Sequence, residues 1–222
     1  MKNLDWNFIT QYAPLYVEAA RLTVFIAFWG ILLAFAVGVL CSAALYYKVP
    51  VLRGIIQVYV ELSRNTPLLV QLFFLYFGLP NIGVVLSGET CAIIGIAFLG
   101  GSYMTETLRS GLESVDKIQE ESAASLGLNK WLTMKEIIFP QAMAVSVPGI
   151  CANVVFLIKE TSVVSGIALA DLMYVAKDLI GLYYKTDEAL TMLVASYLII
   201  LLPVSAAATI LERRLRHAGF GN

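Results

Sequence analysis

Long uncharged runs alternate with short charged stretches along this chain. A helix needs roughly 20 apolar residues to cross the hydrocarbon core of a bilayer, and five runs of that order can be marked in the sequence. We predict an all-α integral membrane protein with a single membrane domain over residues 1–222. Its five predicted transmembrane helices lie at residues 22–46, 54–80, 88–110, 140–165 and 189–212. The third run is the least hydrophobic, and Pro67 is expected to bend the second helix.

Small residues recur at every fourth position of the first predicted span, at Ala34, Gly38 and Ser42. Such a stripe lets another helix approach closely in lipid. A chance occurrence of small residues would give the same pattern, so both interpretations stay open.

The segment before the first span carries aromatic residues among polar ones, at Trp6, Phe8, Tyr12 and Tyr16. Aromatic side chains of this kind concentrate at membrane interfaces. We expect a retained interfacial segment here. A cleaved signal peptide is not expected, because Asp5 sits near the start and the following apolar run is too long.

Composition agrees with a membrane protein and narrows the chemistry. The 222 residues are 59% hydrophobic and 14% charged, whereas soluble domains carry about 25% charged residues. The net charge of −1 gives no general attraction to nucleic acid. The three cysteines show no CxxC spacing and His217 is the single histidine, so we predict neither a metal site nor a catalytic site.

The distribution of basic residues predicts the orientation, because cytoplasmic loops retain lysine and arginine. With the N-terminus outside and the C-terminus inside, nine basic residues fall on the cytoplasmic side and four on the outer side. The nine are Lys48, Arg53, Arg109, Lys117, Lys130, Lys135, Arg213, Arg214 and Arg216, and the four are Lys2, Arg21, Lys177 and Lys185.

The polar stretch at residues 111–139 is predicted to form a cytoplasmic helical hairpin. Asp116 is placed to cap a first short helix, Gly127 to end it, and Asn129 to cap a second. The first helix is expected to expose a narrow face of small and apolar side chains: Ile118, Ser122, Ala123 and Leu126. That face either seats in a groove on a partner or packs against the chain's own membrane domain.

The hairpin carries a motif of known spacing. Glu121-Ser122-Ala123 with Gly127, followed after nine residues by Ile137-Ile138-Phe139-Pro140, resembles the EAA motif of bacterial ABC importer permeases. Ser122 replaces the usual second-position alanine and Phe139 the usual leucine.

Three more stretches resemble the polar amino-acid subfamily of these permeases, the histidine, arginine and glutamine type. They are the runs at residues 61–71, 105–111 and 159–162, which read ELSRNTPLLVQ, TETLRSG and KETS. Asn65 departs from the glycine that the subfamily has in the first run. The resemblance covers roughly residues 15–215.

The resemblance implies a type I ABC importer in the bacterial plasma membrane. Its implied partners are a dimer of cytoplasmic ATPase subunits, a second permease subunit that is identical or similar, and an extracytoplasmic amino-acid-binding protein. The residues that match the ATPase-docking positions are Glu121, Ser122, Ala123, Leu126 and Gly127. The sequence has no GxxxxGK[ST] loop, so we expect a non-enzymatic subunit without a cofactor of its own, with ATP and Mg²⁺ held by the partner.

Polar side chains that lipid would not tolerate mark the expected substrate path. An amino acid carries an ammonium and a carboxylate, so its path needs both acceptors and donors. The candidate residues are Glu61, Arg64, Gln71, Glu106, Lys159, Glu160, Thr161 and Ser162. The alternative is that Arg64 pairs with Glu61, and Lys159 with a nearby acid, as structural salt bridges.

Other functions are less consistent with the features of this sequence. An ATP-independent channel would need no motif-spaced cytoplasmic hairpin, and a secondary carrier usually shows repeated halves. An intramembrane hydrolase would need a serine with a histidine, or HExxH, within the spans. The sequence therefore favours an importer subunit for a polar or charged amino acid, whose identity stays open.

Overall fold

A computed structural model describes residues 4–219 of the chain, with side chains through residue 214. The predictions for Lys2, Arg216 and His217 concern side chains outside that range. Within it all regular secondary structure is helical, as the sequence predicts. The α-helices are α1 (Trp6–Tyr46), α2 (Pro50–Asn65), α3 (Leu68–Phe73), α4 (Gly88–Glu113), α5 (Lys117–Ser125), α6 (Lys130–Thr133), α7 (Phe139–Glu160), α8 (Leu172–Tyr183) and α9 (Thr186–Gly219).

Short turns of other helical types extend three of these helices. A π-helical turn (Phe74–Gly78) and a 3-10 turn (Leu79–Ile82) follow α3, a π-helical turn (Met134–Ile138) joins α6 to α7, and a 3-10 turn (Thr161–Ile167) follows α7. In the described residues, four helical stretches are long and apolar enough to cross a membrane: Trp6–Tyr46, Gly88–Glu113, Lys130–Ile167 and Thr186–Arg214.

The second predicted span, 54–80, is not one helix. The helix α2 ends at Asn65, and Thr66 is extended with a ψ of 127°, because a proline disfavours helical geometry in the residue before it. Pro67 then precedes α3. The Nε2 of Gln71 donates to the carbonyls of Ser63 and Thr66 at 3.0 Å each. This side chain therefore satisfies carbonyls that the break leaves without helical partners.

The helix α1 is continuous over 41 residues, about 60 Å at 1.5 Å per residue. The segment before the predicted first span is therefore the beginning of α1, and its position at the interface stays a prediction. Phe8 and Tyr16 are buried against α8 and α9, and the Tyr16 hydroxyl donates to the carbonyl of Ala189 at 2.8 Å. These aromatic residues pack on other helices, a role that aromatic composition alone does not distinguish from an interfacial one.

An ion pair fastens the start of α1 to the turn between α8 and α9. Asp5 caps α1 by accepting from the amide of Phe8 at 3.2 Å, and its second carboxylate oxygen accepts from the Lys185 ammonium at 2.9 Å. The amide of Asp5 donates to Glu188 at 3.1 Å. The Lys185 hydrogen bond, followed by that of Phe8, holds the pKa of Asp5 below its ordinary value.

The stripe of small residues on α1 packs against α4. Ala34, Gly38 and Ser42 are all buried, which confirms the close-approach interpretation. A Cβ added at Gly100 of α4 would lie 2.8 Å from the Cβ of Ala34 and 2.6 Å from Leu157 of α7. The three helices α1, α4 and α7 therefore meet at a point where only a glycine fits without displacement.

The low hydrophobicity of α4 follows from its central position. About 67% of its most apolar window is buried inside the bundle, compared with 6% for α9. A helix surrounded by other helices gains more from small residues that allow close packing than from large apolar ones. The third span is weak in hydropathy because it faces protein on most sides.

Candidate functional site

The hairpin between α4 and α7 is built on the three caps that its sequence predicts. Asp116 accepts from the amide of Ile118 at 3.0 Å, and Asn129 accepts from the amide of Leu132 at 2.9 Å. Each cap satisfies an amide at the start of its helix that has no helical partner. The short helix α6 then continues through the π-helical turn into α7 without a loop.

Gly127 ends α5 with a left-handed φ of +77°. The amide of Leu128 donates to the carbonyl of Ala123, and the amide of Gly127 to that of Ala124, each at 3.0 Å. This pair of hydrogen bonds is the Schellman arrangement, which needs the left-handed residue that glycine supplies at little cost.

The exposed face of α5 differs from the predicted one at a single position. Ile118, Ser122 and Leu126 are exposed, as expected from their spacing of four. Ala123 is only 1% exposed, so its predicted exposure is wrong. It lies about 100° around the helix from Ser122. Glu121 and Gly127 are also exposed.

A charged cavity of about 500 Å³ opens between α2, α4 and the end of α1. Three of the predicted path residues line it: Glu61 and Arg64 from α2, and Glu106 from α4. It is also lined by charged side chains that the sequence analysis did not assign to a path: Lys48, Arg53, Arg109 and Glu113. The cavity therefore offers four cations and three anions to a solute, which suits a zwitterion.

Arg109 is held by two carboxylates on its own helix. Its Nη2 lies 2.9 Å from Glu106 Oε2 and its Nη1 lies 3.0 Å from Glu113 Oε2. The i, i+3 and i, i+4 spacing of these residues on α4 is the signal that could have identified the network. Glu106 is therefore already paired with Arg109, whereas Glu61 makes no ion pair within 4.0 Å among the described side chains.

Arg64 stacks on an aromatic ring. Its guanidinium carbon lies 5.1 Å from the centre of the Tyr103 ring, within cation–π range. Among the described side chains it makes no ion pair within 4.0 Å, so the alternative of a structural bridge to Glu61 is wrong. Tyr103 also packs edge-on against Phe156 of α7, with ring centres 5.3 Å apart, which connects this face of α2 and α4 to α7.

The other predicted path residues lie elsewhere. Gln71 bridges the break between α2 and α3, as described above. Lys159 and Glu160 are the last two residues of α7, and Lys159 is exposed. The Oγ1 of Thr161 is buried and donates to the carbonyl of Ile158 at 2.7 Å, and Ser162 is partly buried in the following 3-10 turn. The structure does not bring these five residues into the charged cavity.

The family pattern described as "Binding-protein-dependent transport system inner membrane component" matches residues 27–217. The chain belongs to this family. Its members are inner-membrane proteins, in agreement with the long apolar helices of the bundle.

Two relatives from Bacillus subtilis (strain 168) support the assignment. The "Probable amino-acid ABC transporter permease protein YckA" is 33% identical over 98% of this chain and 99% of its own length. The "Probable glutamine ABC transporter permease protein GlnP" is 40% identical over 79% of this chain and 82% of its own length.

A solved structure shares the architecture. It is described as "Crystal structure of an amino acid ABC transporter with histidines" and superposes with a TM-score of 0.87 at 28% identity. The match covers 96% of this chain and 99% of that chain. The permease is therefore similar over nearly its whole length to a chain of a transporter of that kind.

Proposed function

We propose that the chain is the membrane-spanning subunit of an ATP-binding-cassette importer, and that it moves a polar or charged amino acid inward by alternating access. The observation that carries this proposal is the capped hairpin, which presents motif residues of the importer permeases at one end of an all-helical bundle. The relatives whose names specify amino acids, one of them glutamine, support the substrate class.

The hairpin supplies the contact with the ATPase. Its exposed apolar side chains include Leu126, 79% exposed, and Trp131, 71% exposed. Apolar side chains grouped on a polar protrusion favour a protein partner over water. Glu121, Ser122 and Gly127 are also exposed on the hairpin, whereas Ala123 is buried. ATP and Mg²⁺ belong to the partner, since the sequence has no phosphate-binding loop of the GxxxxGK[ST] type.

The hairpin end of the bundle is cytoplasmic in this proposal, with the N-terminus outside. The basic residues fit this orientation, because Lys117, Lys130 and Lys135 lie in or beside the hairpin. The opposite end, where the ion pair of Asp5 and Lys185 lies, would then face the amino-acid-binding protein.

The substrate path includes the charged cavity. Arg64 and Glu61 would receive the carboxylate and the ammonium of the amino acid, because neither has an ion-pair partner in the described part of the chain. Lys159, Glu160, Thr161, Ser162 and Gln71 remain candidates for other points along the path. A second permease subunit, identical or similar, would cover the exposed face on which the cavity opens.

Uptake tests the function directly. Liposomes containing this chain, its ATPase and the binding protein are supplied with a panel of labelled amino acids, with and without internal ATP. We expect accumulation of one polar or charged class only with ATP. ATP-independent leakage would instead indicate a channel, and exchange driven by a gradient alone would indicate a secondary carrier.

A charge substitution tests the cavity. Arg64→Gln removes the guanidinium and should lower the uptake rate at low substrate by about tenfold, the value of one charge-assisted hydrogen bond. Arg21→Gln, an exposed arginine of α1 outside the cavity, is the matched control. Equal uptake by both variants would exclude Arg64 from the path.

A further inference from the structure

A side-chain hydrogen bond joins the hairpin to α1. The hydroxyl of Tyr46, the last residue of α1, donates to Oε1 of Glu120 in the first turn of α5 at 2.5 Å. The carboxylate makes this bond charge-assisted, and such bonds are roughly twice as strong as neutral ones. In the described part of the chain it is the one side-chain hydrogen bond between these two helices.

The bond lies at the rim of a pocket of about 490 Å³ between the end of α1 and the hairpin. Lys48, Lys130 and Glu121 line the same pocket, so charged side chains of both signs lie around the bond. Ala123 is the buried residue of α5, and α5 otherwise contacts mainly α6 and the π-helical turn of the hairpin itself.

Three routes therefore lead from α5 into the membrane. Two follow the backbone, to α4 through residues 114–116 and to α7 through α6. The third is the Tyr46 hydroxyl, which reaches α1. The helix α1 packs closely on the central α4, and its far end is held to α8 and α9. The hydrogen bond thus gives α1 a direct connection to α5 that does not pass through α4 or α7.

We propose that Tyr46 and Glu120 are positioning residues that make α1 move together with α5 when the ATPase changes state. This inference rests on the proposed role of α5 as the element that contacts the ATPase. The two residues touch neither substrate nor nucleotide in this scheme. They set how much of each ATP-driven movement reaches the membrane helices.

Tyr46→Phe removes only the hydroxyl and is the informative variant. Tyr47→Phe is the matched control, because Tyr47 is adjacent and 60% exposed and has no side-chain hydrogen bond in the described part of the chain. The reconstituted complex is assayed for uptake and ATP hydrolysis together. We expect Tyr46→Phe to move about tenfold less substrate per ATP, the lower end for a hydrogen bond to a charged group, while Tyr47→Phe matches the wild type.

Glu120 supplies the second arm of the experiment. Glu120→Ala should reproduce the loss, and adding it to Tyr46→Phe should cause no further loss, because both remove the same bond. Glu120→Gln keeps an acceptor oxygen and should restore most of the ratio. A merely structural role would lower assembly or melting temperature in step with uptake and would not produce this pattern.

The outcomes separate this inference from the proposed function. If the wild-type complex shows no ATP-dependent uptake, the proposed function fails. If the wild type transports normally and Tyr46→Phe has the same ratio of substrate to ATP as Tyr47→Phe, the function stands and the link between α1 and α5 is refuted.

Discussion

Substitutions at Gly127 test the proposed role of the hairpin, because the effect of backbone strain can be distinguished there from the effect of an added charge. Its φ of +77° lies in the left-handed region, and a Cβ built there meets nothing within 4 Å. A side chain at this position therefore costs backbone strain of about 1–2 kcal/mol without a steric clash inside the chain. Asparagine and aspartate tolerate this conformation better than other residues, so both variants should retain the hairpin.

Gly127→Asp and Gly127→Asn differ by one charge at the proposed ATPase contact. A carboxylate at the end of α5 opposes the helix dipole by about 0.3–1 kcal/mol, which the bundle tolerates. Burying it unpaired against a partner costs several kcal/mol. If burying the carboxylate costs about 3 kcal/mol, coupling should fall on the order of 100-fold in Gly127→Asp, because each 1.36 kcal/mol is a factor of ten. The loss in Gly127→Asn should be much smaller.

The assay is substrate-stimulated ATPase activity of the reconstituted complex, with uptake measured in the same vesicles. The melting temperature of each isolated permease variant controls for folding. Normal stimulated ATPase activity and uptake in Gly127→Asp, at an unchanged melting temperature, would remove the hairpin from the mechanism. A permease that no longer folds would contradict the open surroundings of this residue.

Two further predictions concern stability, measured by thermal unfolding of the purified permease in detergent. Gly100→Ala should destabilise by about 1–3 kcal/mol through overpacking, because its Cβ would meet Leu157 at 2.6 Å. Gly54→Ala, in open space on α2, should be neutral or stabilising by up to about 1 kcal/mol. Equal melting temperatures of the two alanine variants would contradict this packing argument. Asp171 caps α8 through the amide of Tyr174, and burial, opposed by the Tyr174 amide, raises its pKa from 3.8 to about 6. The folded state therefore favours the protonated form of Asp171. At 1.36 kcal/mol per pKa unit, this preference adds about 3 kcal/mol to the stability of the fold. It is present below pH 4 and is lost as the pH rises through 6. Asp171→Asn keeps the cap and should melt higher than the wild type at pH 7.5 but not at pH 4, whereas a pH-independent difference would refute the burial argument.

Local signals predicted the hairpin well. Asp116, Gly127 and Asn129 act within a few residues of themselves, because a cap depends on its own side chain or φ and on nearby amides. The small stripe at Ala34, Gly38 and Ser42 was also predictable, since one helix face follows from its periodicity alone.

Features that depend on tertiary neighbours were harder to predict. Hydropathy does not tell whether Phe8 and Tyr16 meet lipid headgroups or another helix, so α1 was expected to begin later than it does. The sequence predicted only a bend at Pro67, whereas the structure has two separate helices there. Hydropathy does not show that Gln71 satisfies the carbonyls of a broken helix. Ala123 was assigned to the exposed face as one of its small apolar side chains, although it is buried.

The candidate path shows the same limit. The sequence marks Glu61, Arg64 and Glu106 individually, because each is costly in lipid. Their meeting in one cavity depends on the packing of α2 against α4, which places residues about 40 positions apart side by side. Lys159 had the same sequence signal but lies outside that cavity.

The two faces of the bundle differ in a way that constrains the assembly. The helix α9 exposes Leu198, Ile199 and Leu202, which suits contact with acyl chains. The face of α2 and α4 exposes the charged cavity, where Arg64 lies over a tyrosine ring and makes no ion pair with a described carboxylate. Lipid would penalise that side heavily, so water, substrate or a second permease subunit has to cover it. In the proposed assembly, the second permease subunit would meet this face of α2 and α4 and keep its charges away from lipid.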